Sequence, residues 1–126
     1  MPTKPELFAY VKKQLNVEPD YPFARYPDTA IFRHRSNRKW FAAVIRVSRS
    51  KLGLRGKEEC EVVDLKCDPV FAASVRHYPG ILPGYHMNKR HWISVLLDGS
   101  VDREILWMLV RHSFDQTAPN SKGKMK

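Results

Sequence analysis

The sequence predicts an α+β fold, a two-layer sandwich in which helices flank a run of antiparallel strands. Three observations support this class. Apolar residues recur at helical spacing near the N-terminus, alternate with other residues between about positions 30 and 67, and return to helical spacing after about position 100. Because the strands come in one run instead of alternating with helices, we expect an antiparallel sheet.

The chain has 126 residues, enough for one domain with a core of its own. We assign this domain to residues 1–118 and expect a flexible tail over residues 119–126. No stretch approaches the roughly 20 apolar residues that cross a bilayer, and the N-terminal MPTKPELFAY lacks the apolar run of a secretory signal. We therefore expect a cytoplasmic protein with no membrane partner.

The first helix is predicted to begin after Thr3 and to end near residue 17. Thr3 and Glu6 have the spacing of a capping box, and apolar residues follow at helical spacing until a proline-containing segment. Two short extended segments are then expected on either side of a turn at Pro27 and Asp28.

The next two strands are predicted over residues 40–48 and 58–67, joined by a glycine-containing loop. Alternation divides the first of them into two faces, with Phe41, Ala43, Ile45 and Val47 on one and Trp40, Ala42, Val44 and Arg46 on the other. Short basic turns connect these strands, which is typical of an antiparallel meander.

The second half of the chain returns to helices. Asp68 and Pro69 suit the N-cap and first position of a short helix, which ends before a proline- and glycine-rich connector at residues 79–84. A strand follows at residues 92–99, and Ser100 is a candidate cap for the last helix. Three or four strands precede the second helix; with four assigned, the element order is α-β-β-β-β-α-β-α.

Positive charge is concentrated in one part of the chain. The formal net charge is +9, and no Asp or Glu occurs from residue 29 to residue 57. A segregated basic surface is typical of proteins that bind a polyanion, above all nucleic acid, although a basic run also occurs simply as a solvated surface. The nine basic residues of this stretch, which equal the whole surplus of charge, are Arg33, Arg35, Arg38, Lys39, Arg46, Arg49, Lys51, Arg55 and Lys57.

A second concentration of polar side chains lies in PGYHMNKRHW, residues 83–92. A structural interpretation is a turn that leads into a strand, since Pro-Gly and Asn favour turns and Trp92 begins an apolar run. A functional interpretation is a loop that contacts an anion, with aromatic rings available for stacking on bases. The side chains that either interpretation must place are His86, Asn88, Lys89, His91 and Trp92.

No recognised pattern indicates an enzyme, a metal centre or a cofactor. His86 and His91 lie five residues apart without a further ligand motif, and Lys89 and Arg90 beside them would repel a cation. No serine has a nucleophile elbow around it, and the glycines of KLGLRGK are too few for a phosphate-binding loop. We therefore expect no catalytic residues, no metal site and no cofactor.

Three segments together resemble the MmcQ/YjbR family of small bacterial proteins: PGILPGYHMNKRHWISVLLDG, VDLKCDP and RKWFAAVIRV. The resemblance covers nearly the whole chain. It implies a fold similar to the bacterial frataxin homologue CyaY, an antiparallel sheet with helices on one face, and a description as DNA-binding through paired β wings. The turns at residues 33–39 and 46–57 are the candidate wings. The acidic first helix that would bind iron in frataxin-like proteins is absent, because this helix carries Lys4, Lys12 and Lys13.

The function expected from the sequence is binding of nucleic acid, above all duplex DNA, through phosphate contacts of the nine basic residues and with weak sequence preference. Two other functions stay open. The basic turns would equally suit a protein-interaction module with an acidic partner, and the loop around His86, Asn88, Lys89 and His91 would suit a small-ligand or enzymatic pocket.

Overall fold

The computed structural model describes residues 3–119, which form three helices and one five-stranded sheet. The elements in chain order are α1 (Lys4–Tyr10), β1 (Ala30–Arg33), β2 (Trp40–Ser48), β3 (Glu59–Lys66), α2 (Pro69–Val75), β4 (Ile81–Pro83), β5 (Trp92–Leu96) and α3 (Arg103–Thr117). The predicted α+β class is confirmed. Of the tail predicted at 119–126, all but Pro119 lies outside the described residues. No helix within residues 3–119 is long and apolar enough to cross a membrane.

The sheet has the order β1-β2-β3-β5-β4, and all neighbouring strands are antiparallel. Three strands precede α2 and two follow it, so the prediction of four strands before α2 and one strand after it is wrong. The segment before β1 contributes only a single bridge between Asp20 and Ile31, since its prolines offer no N–H for a ladder. The predicted connector instead contains β4, whose Pro83 is tolerated because β4 is an edge strand.

The helix ends follow the predicted caps with one exception. Glu6 accepts a hydrogen bond from the Thr3 N–H at 3.1 Å and completes the capping box. The helix continues as a π-helical turn, Val11–Leu15, and Asn16 ends it in the left-handed conformation. Asp68 caps α2 as predicted, because its carboxylate accepts hydrogen bonds from the N–H groups of Val70 and Phe71. The cap of α3 is Asp102 and not Ser100, which instead hydrogen-bonds Asp98.

All three helices pack on one side of the sheet, here called the helix side. Leu7 of α1, Val75 of α2 and Leu109 of α3 belong to one buried cluster, together with strand residues such as Phe32 and Val63. The helices therefore bury one face of the sheet, and no α-helix of residues 3–119 covers the other face. We call this other face the open face; its central row, one residue from each strand, is Ile31, Ala43, Asp64, Ser94 and Leu82.

A β-bulge at the start of β2 changes which side chains reach the open face. Phe32 pairs with Ala42 and Arg33 with Trp40, so Phe41 is an extra residue without a partner on β1. Phe41 packs on the helix side against Phe114, whereas Trp40 lies on the open face. The simple alternation predicted for residues 40–48 is therefore wrong at its first two positions.

Candidate nucleic-acid interface

Asp64 lies at the centre of the open face and is fully buried. Its Oδ1 accepts a hydrogen bond from Ser94 Oγ, and Ser94 Oγ in turn accepts from the Tyr85 N–H at 2.8 Å. Asp64 Oδ2 has no hydrogen-bond partner among the described residues. Burial raises the pKa of Asp64 from its ordinary 3.8 to about 7, although the Ser94 hydrogen bond and the charge of Lys89 act in the opposite direction.

Residues 84–91, here called the motif loop, lie over Asp64 and Ser94. Lys89 Nζ donates to the Gly84 carbonyl at 2.7 Å, and Asn88 Oδ1 accepts from the Arg90 N–H at 2.9 Å. His86 has a φ of 62°, a left-handed conformation that few non-glycine residues adopt. Asn88 and Lys89 thus hold the loop in shape, which agrees with the structural interpretation of the motif for these two residues.

The other residues of the motif have separate positions. Trp92 lies half-buried at the first position of β5, and Lys66 of β3 places its Nζ 5.7 Å from the centre of the Trp92 ring. The backbone carbonyl of His91 accepts from the Cys67 N–H at 2.7 Å and so ties the end of the loop to the residue that follows β3. The exposed His86 side chain, in contrast, faces a cavity.

Gly84 fixes where the motif loop leaves the sheet. A Cβ at this position would lie 2.7 Å from the Cβ of Trp92 and 2.9 Å from its carbonyl oxygen. We expect Gly84→Ala to destabilise the protein by about 1–3 kcal/mol, the usual cost of overpacking. Urea unfolding followed by circular dichroism measures this effect, and an unchanged midpoint would show that the loop yields without cost.

A cavity of about 500 Å³ lies on the open face beside the motif loop, and its volume is in the range of small-ligand pockets. Its floor consists of strand residues such as Ala43 and Ile45. Four aromatic residues contribute to its lining, namely Phe23, Tyr26, Trp40 and Tyr85. A pocket beside the motif is what the small-ligand hypothesis predicts. Of the four motif residues assigned to that pocket, only His86 lines the cavity.

The first basic turn, residues 34–39, is held against the helices and is not a projecting wing. His34 is buried, and its Nε2 lies 2.9 Å from the Phe114 carbonyl oxygen. Asn37 donates to the Thr117 carbonyl at 3.0 Å, and Arg35 donates to the Asn16 carbonyl at 3.0 Å. These contacts fix the turn at the C-terminal ends of α1 and α3.

The second basic turn, residues 49–57, folds back on itself at the other end of β2. Its first four residues form a 3-10 turn, Arg49–Leu52, and Gly53 follows with a φ of 79°. Leu52 and Leu54 pack against a small apolar cluster of Val47, Val62 and Leu96 on the open face. Arg49 Nε donates to the Arg55 carbonyl at 2.8 Å. The residues from 55 to 57 are exposed at the tip of this turn.

Three of the nine basic side chains are paired with carboxylates. Arg33 contacts Asp20 at 2.7 Å, and Arg46 contacts Glu59 at 2.8 Å. Arg38 lies 3.9 Å from the same Asp20. The other six have no carboxylate within 4.0 Å among residues 3–119, and we refer to them as the six cations: Arg35, Lys39, Arg49, Lys51, Arg55 and Lys57.

The two basic turns lie at opposite ends of β2. This strand has nine residues, and at roughly 3.3 Å per residue it spans about 26 Å. The cavity occupies the surface between the turns, because its lining runs from Trp40 at one end of the strand to Ser48 and Lys51 at the other. Lys51 of the second basic turn lines the cavity, whereas Arg35 of the first basic turn is bonded to the Asn16 carbonyl beside the helices.

Several residues of this surface were not predicted as functional. Phe23 and Tyr26 come from the loop before β1, and only the chain reversal at β1 brings them to Trp40, whose ring centre lies 6.1 Å from that of Phe23. Asp64 did leave a signal, since it is the one acidic residue inside the apolar run of β3. A carboxylate is rarely buried unless it has a partner, so a single carboxylate among apolar strand residues indicates a buried polar contact.

Comparisons with known proteins agree with this fold. Residues 13–116 match the family model described as YjbR. The chain is 40% identical to the uncharacterised protein YyaQ of Bacillus subtilis over 117 residues, which cover 93% of this chain and 99% of YyaQ. It is 32% identical to YjbR of Escherichia coli over 91 residues, which are 68% of this chain and 77% of that protein. A crystal structure of a Pseudomonas syringae protein, 39% identical, matches with a TM-score of 0.90 over 92% of this chain and 99% of that one.

Proposed function

The chain belongs to the YjbR family, and we propose that it binds nucleic acid, duplex DNA included, through phosphate contacts with weak sequence preference. One observation carries this proposal: six cations without a carboxylate partner are grouped in two turns at the ends of one strand. Unpaired surface cations favour binding to phosphate because each contact releases a condensed counterion.

The spacing of the turns suits a duplex. The length of β2, about 26 Å, is somewhat less than one helical turn of B-DNA, which rises about 34 Å. Two phosphates that lie less than one helical turn apart on the same side of a duplex would therefore contact the first and the second basic turn. The second basic turn supplies four of the six cations and is expected to make the larger contribution.

Weak sequence preference follows from the kinds of side chains involved. Lys and Arg on turns contact phosphates, which carry no sequence information. The elements that usually read base edges in the major groove are helices, and here all three helices pack on the side of the sheet away from the cavity. The turns would thus position the protein on DNA without selecting a site.

The double variant Arg55→Glu/Lys57→Glu tests the second basic turn. Both residues are exposed at its tip, and we expect about 10- to 100-fold weaker binding to a 16-bp duplex at about 100 mM salt, because two phosphate contacts become repulsive. Fluorescence anisotropy with a labelled duplex measures the affinity.

The matched control is Lys13→Glu/Arg111→Glu, which changes the net charge equally on the exposed surface of the helix layer. We expect it to weaken binding only slightly, through the overall charge. An equal loss in both double variants would contradict a localised interface. Salt-sensitive binding to an acidic protein such as prothymosin, with none to DNA, would favour the protein-interaction hypothesis instead.

A further inference from the structure

The aromatic rings of the cavity are unusually accessible for such large apolar groups. Tyr26 is 64% exposed and Phe23 is 37% exposed, and the Trp40 ring between strand and loop is only half-buried. Rings in such positions gain free energy when another flat, apolar surface covers them. The cavity thus offers ring surface on which a planar group can stack.

The charges around the cavity favour a ligand with a negative group attached to that ring. Lys51 lines the cavity and belongs to the six cations, while Arg46 and Glu59 at the rim are paired with each other. On the other side, Arg33 places its guanidinium 5.8 Å from the centre of the Trp40 ring but is paired with Asp20, so Lys51 is the cation of the lining that a ligand can engage. A planar ring with an attached phosphate beside Lys51 matches a nucleotide unit of a nucleic-acid strand.

Only an unpaired base presents its ring to such a cavity. Bases inside a duplex are stacked on both faces, so a protein reaches a ring face only where the strand is single or the base is turned out. We propose that the open-face cavity takes up one unpaired base of a bound strand, so that this protein binds nucleic acid with unpaired bases more tightly than fully paired duplex. This inference rests on the proposed function, since the two basic turns hold the phosphates on either side.

Electrostatics alone would produce the opposite preference. A single strand has a lower charge density than a duplex and releases fewer counterions for each phosphate contact. A protein that used only its six cations would therefore bind duplex more tightly. Tighter binding to single strand is evidence for contact with bases.

The test compares three labelled probes at one salt concentration: a 16-bp duplex, the same duplex with a three-nucleotide bulge, and a 16-nucleotide single strand. The variants are Trp40→Ala and Tyr26→Ala, with Tyr78→Ala as the control, because Tyr78 is an exposed tyrosine outside the cavity lining. We expect the wild-type protein to bind the two probes with unpaired bases at least about fivefold tighter than the duplex. Each cavity variant should lose about 5- to 100-fold in affinity for those probes, the effect of losing one base–aromatic stack, with little change for duplex.

Each alternative outcome is decisive. Affinity for the duplex that equals or exceeds the affinity for both other probes, unaffected by Tyr26→Ala, overturns the inference and leaves the proposed function intact. No salt-dependent binding to any probe overturns the proposed function and the inference with it. Binding of thymidine monophosphate as tight as that of the single strand would make the cavity a small-ligand site and also overturn the inference. If Trp40→Ala fails to fold, the affinities of Tyr26→Ala decide whether the inference holds, because the exposed Tyr26 side chain can be removed without changing the core.

Discussion

Asp64→Asn is expected to become more stable relative to the wild-type protein as the pH rises from about 4 to about 7. A carboxyl group whose pKa is about 7 in the folded protein and 3.8 when unfolded binds its proton more tightly in the folded state. Its contribution to stability is therefore fully present below about pH 4 and is lost as the pH rises to 7. A pKa difference of this size corresponds to about 4 kcal/mol in the free energy of unfolding.

The measurement is urea unfolding of both proteins across this pH range, expressed as the difference between their free energies of unfolding. Burial lowers the pKa of His34 and of His112. These two groups therefore make the protein more stable as the pH rises, whereas Asp64 makes it less stable. Because both proteins contain them, the difference isolates Asp64. Asp28→Asn, at an exposed loop position, is the control for removal of a carboxylate that is not buried. A flat difference for Asp64→Asn would contradict burial of this carboxyl.

The second large effect is expected from Ser113→Ala in α3. Ser113 is fully buried; its Oγ donates to the Phe41 carbonyl and accepts from the Lys66 N–H at 2.8 Å. The ladder between β2 and β3 stops at Ala42 and Leu65, so the next pair in this register would be Phe41 and Lys66. The Ser113 hydroxyl thus takes the place of a direct hydrogen bond that the bulge at Phe41 removes.

Removal of this hydroxyl leaves a buried carbonyl and a buried N–H without a partner. Each such group costs about 1–3 kcal/mol, so we expect the loss of both partners in Ser113→Ala to destabilise the protein by about 2–6 kcal/mol. Ser74→Ala is the matched control, since its hydroxyl bonds a carbonyl of α2 at an exposed position and should change stability by less than about 0.5 kcal/mol. A difference below about 1 kcal/mol between the two variants, measured by chemical unfolding, would contradict this role for Ser113.

The features that the sequence predicts well are those with a local cause. The capping box of α1 and the Asp68 cap of α2 depend on residues within one turn of each other, and both are confirmed. The long strand β2 has the predicted bounds because seven of its nine residues are apolar and turn residues flank it on both sides. The family resemblance, carried by contiguous motifs, is also confirmed.

The features that it does not predict depend on contacts far along the chain. The bulge at Phe41 is stabilised by Ser113, which lies 72 positions later, and no local pattern in β2 indicates it. β4 is three residues long and ends in proline, so it has neither the length nor the composition of a typical strand. The cavity joins the loop before β1 to the motif loop through Phe23 and His86, and only the folded sheet brings these two loops together.

The candidate site was predicted in part. The nine basic residues were identified as a group, but ion pairs to Asp20 and Glu59 engage three of them. Those acids lie outside the stretch from residue 29 to residue 57, and the bridge to β1 and the β2–β3 hairpin bring them to the arginines. Charge counted along the sequence therefore overestimates the charge that is available to a ligand.

Salt dependence tests the phosphate-binding account most directly. The affinity of the wild-type protein for a 16-bp duplex would be measured from about 50 to 300 mM salt. If the six cations each neutralise one phosphate, log K falls against log salt with a slope of about −5, and Arg55→Glu/Lys57→Glu makes the slope shallower by about 2. A slope near zero, or no binding at about 50 mM salt, would contradict the account.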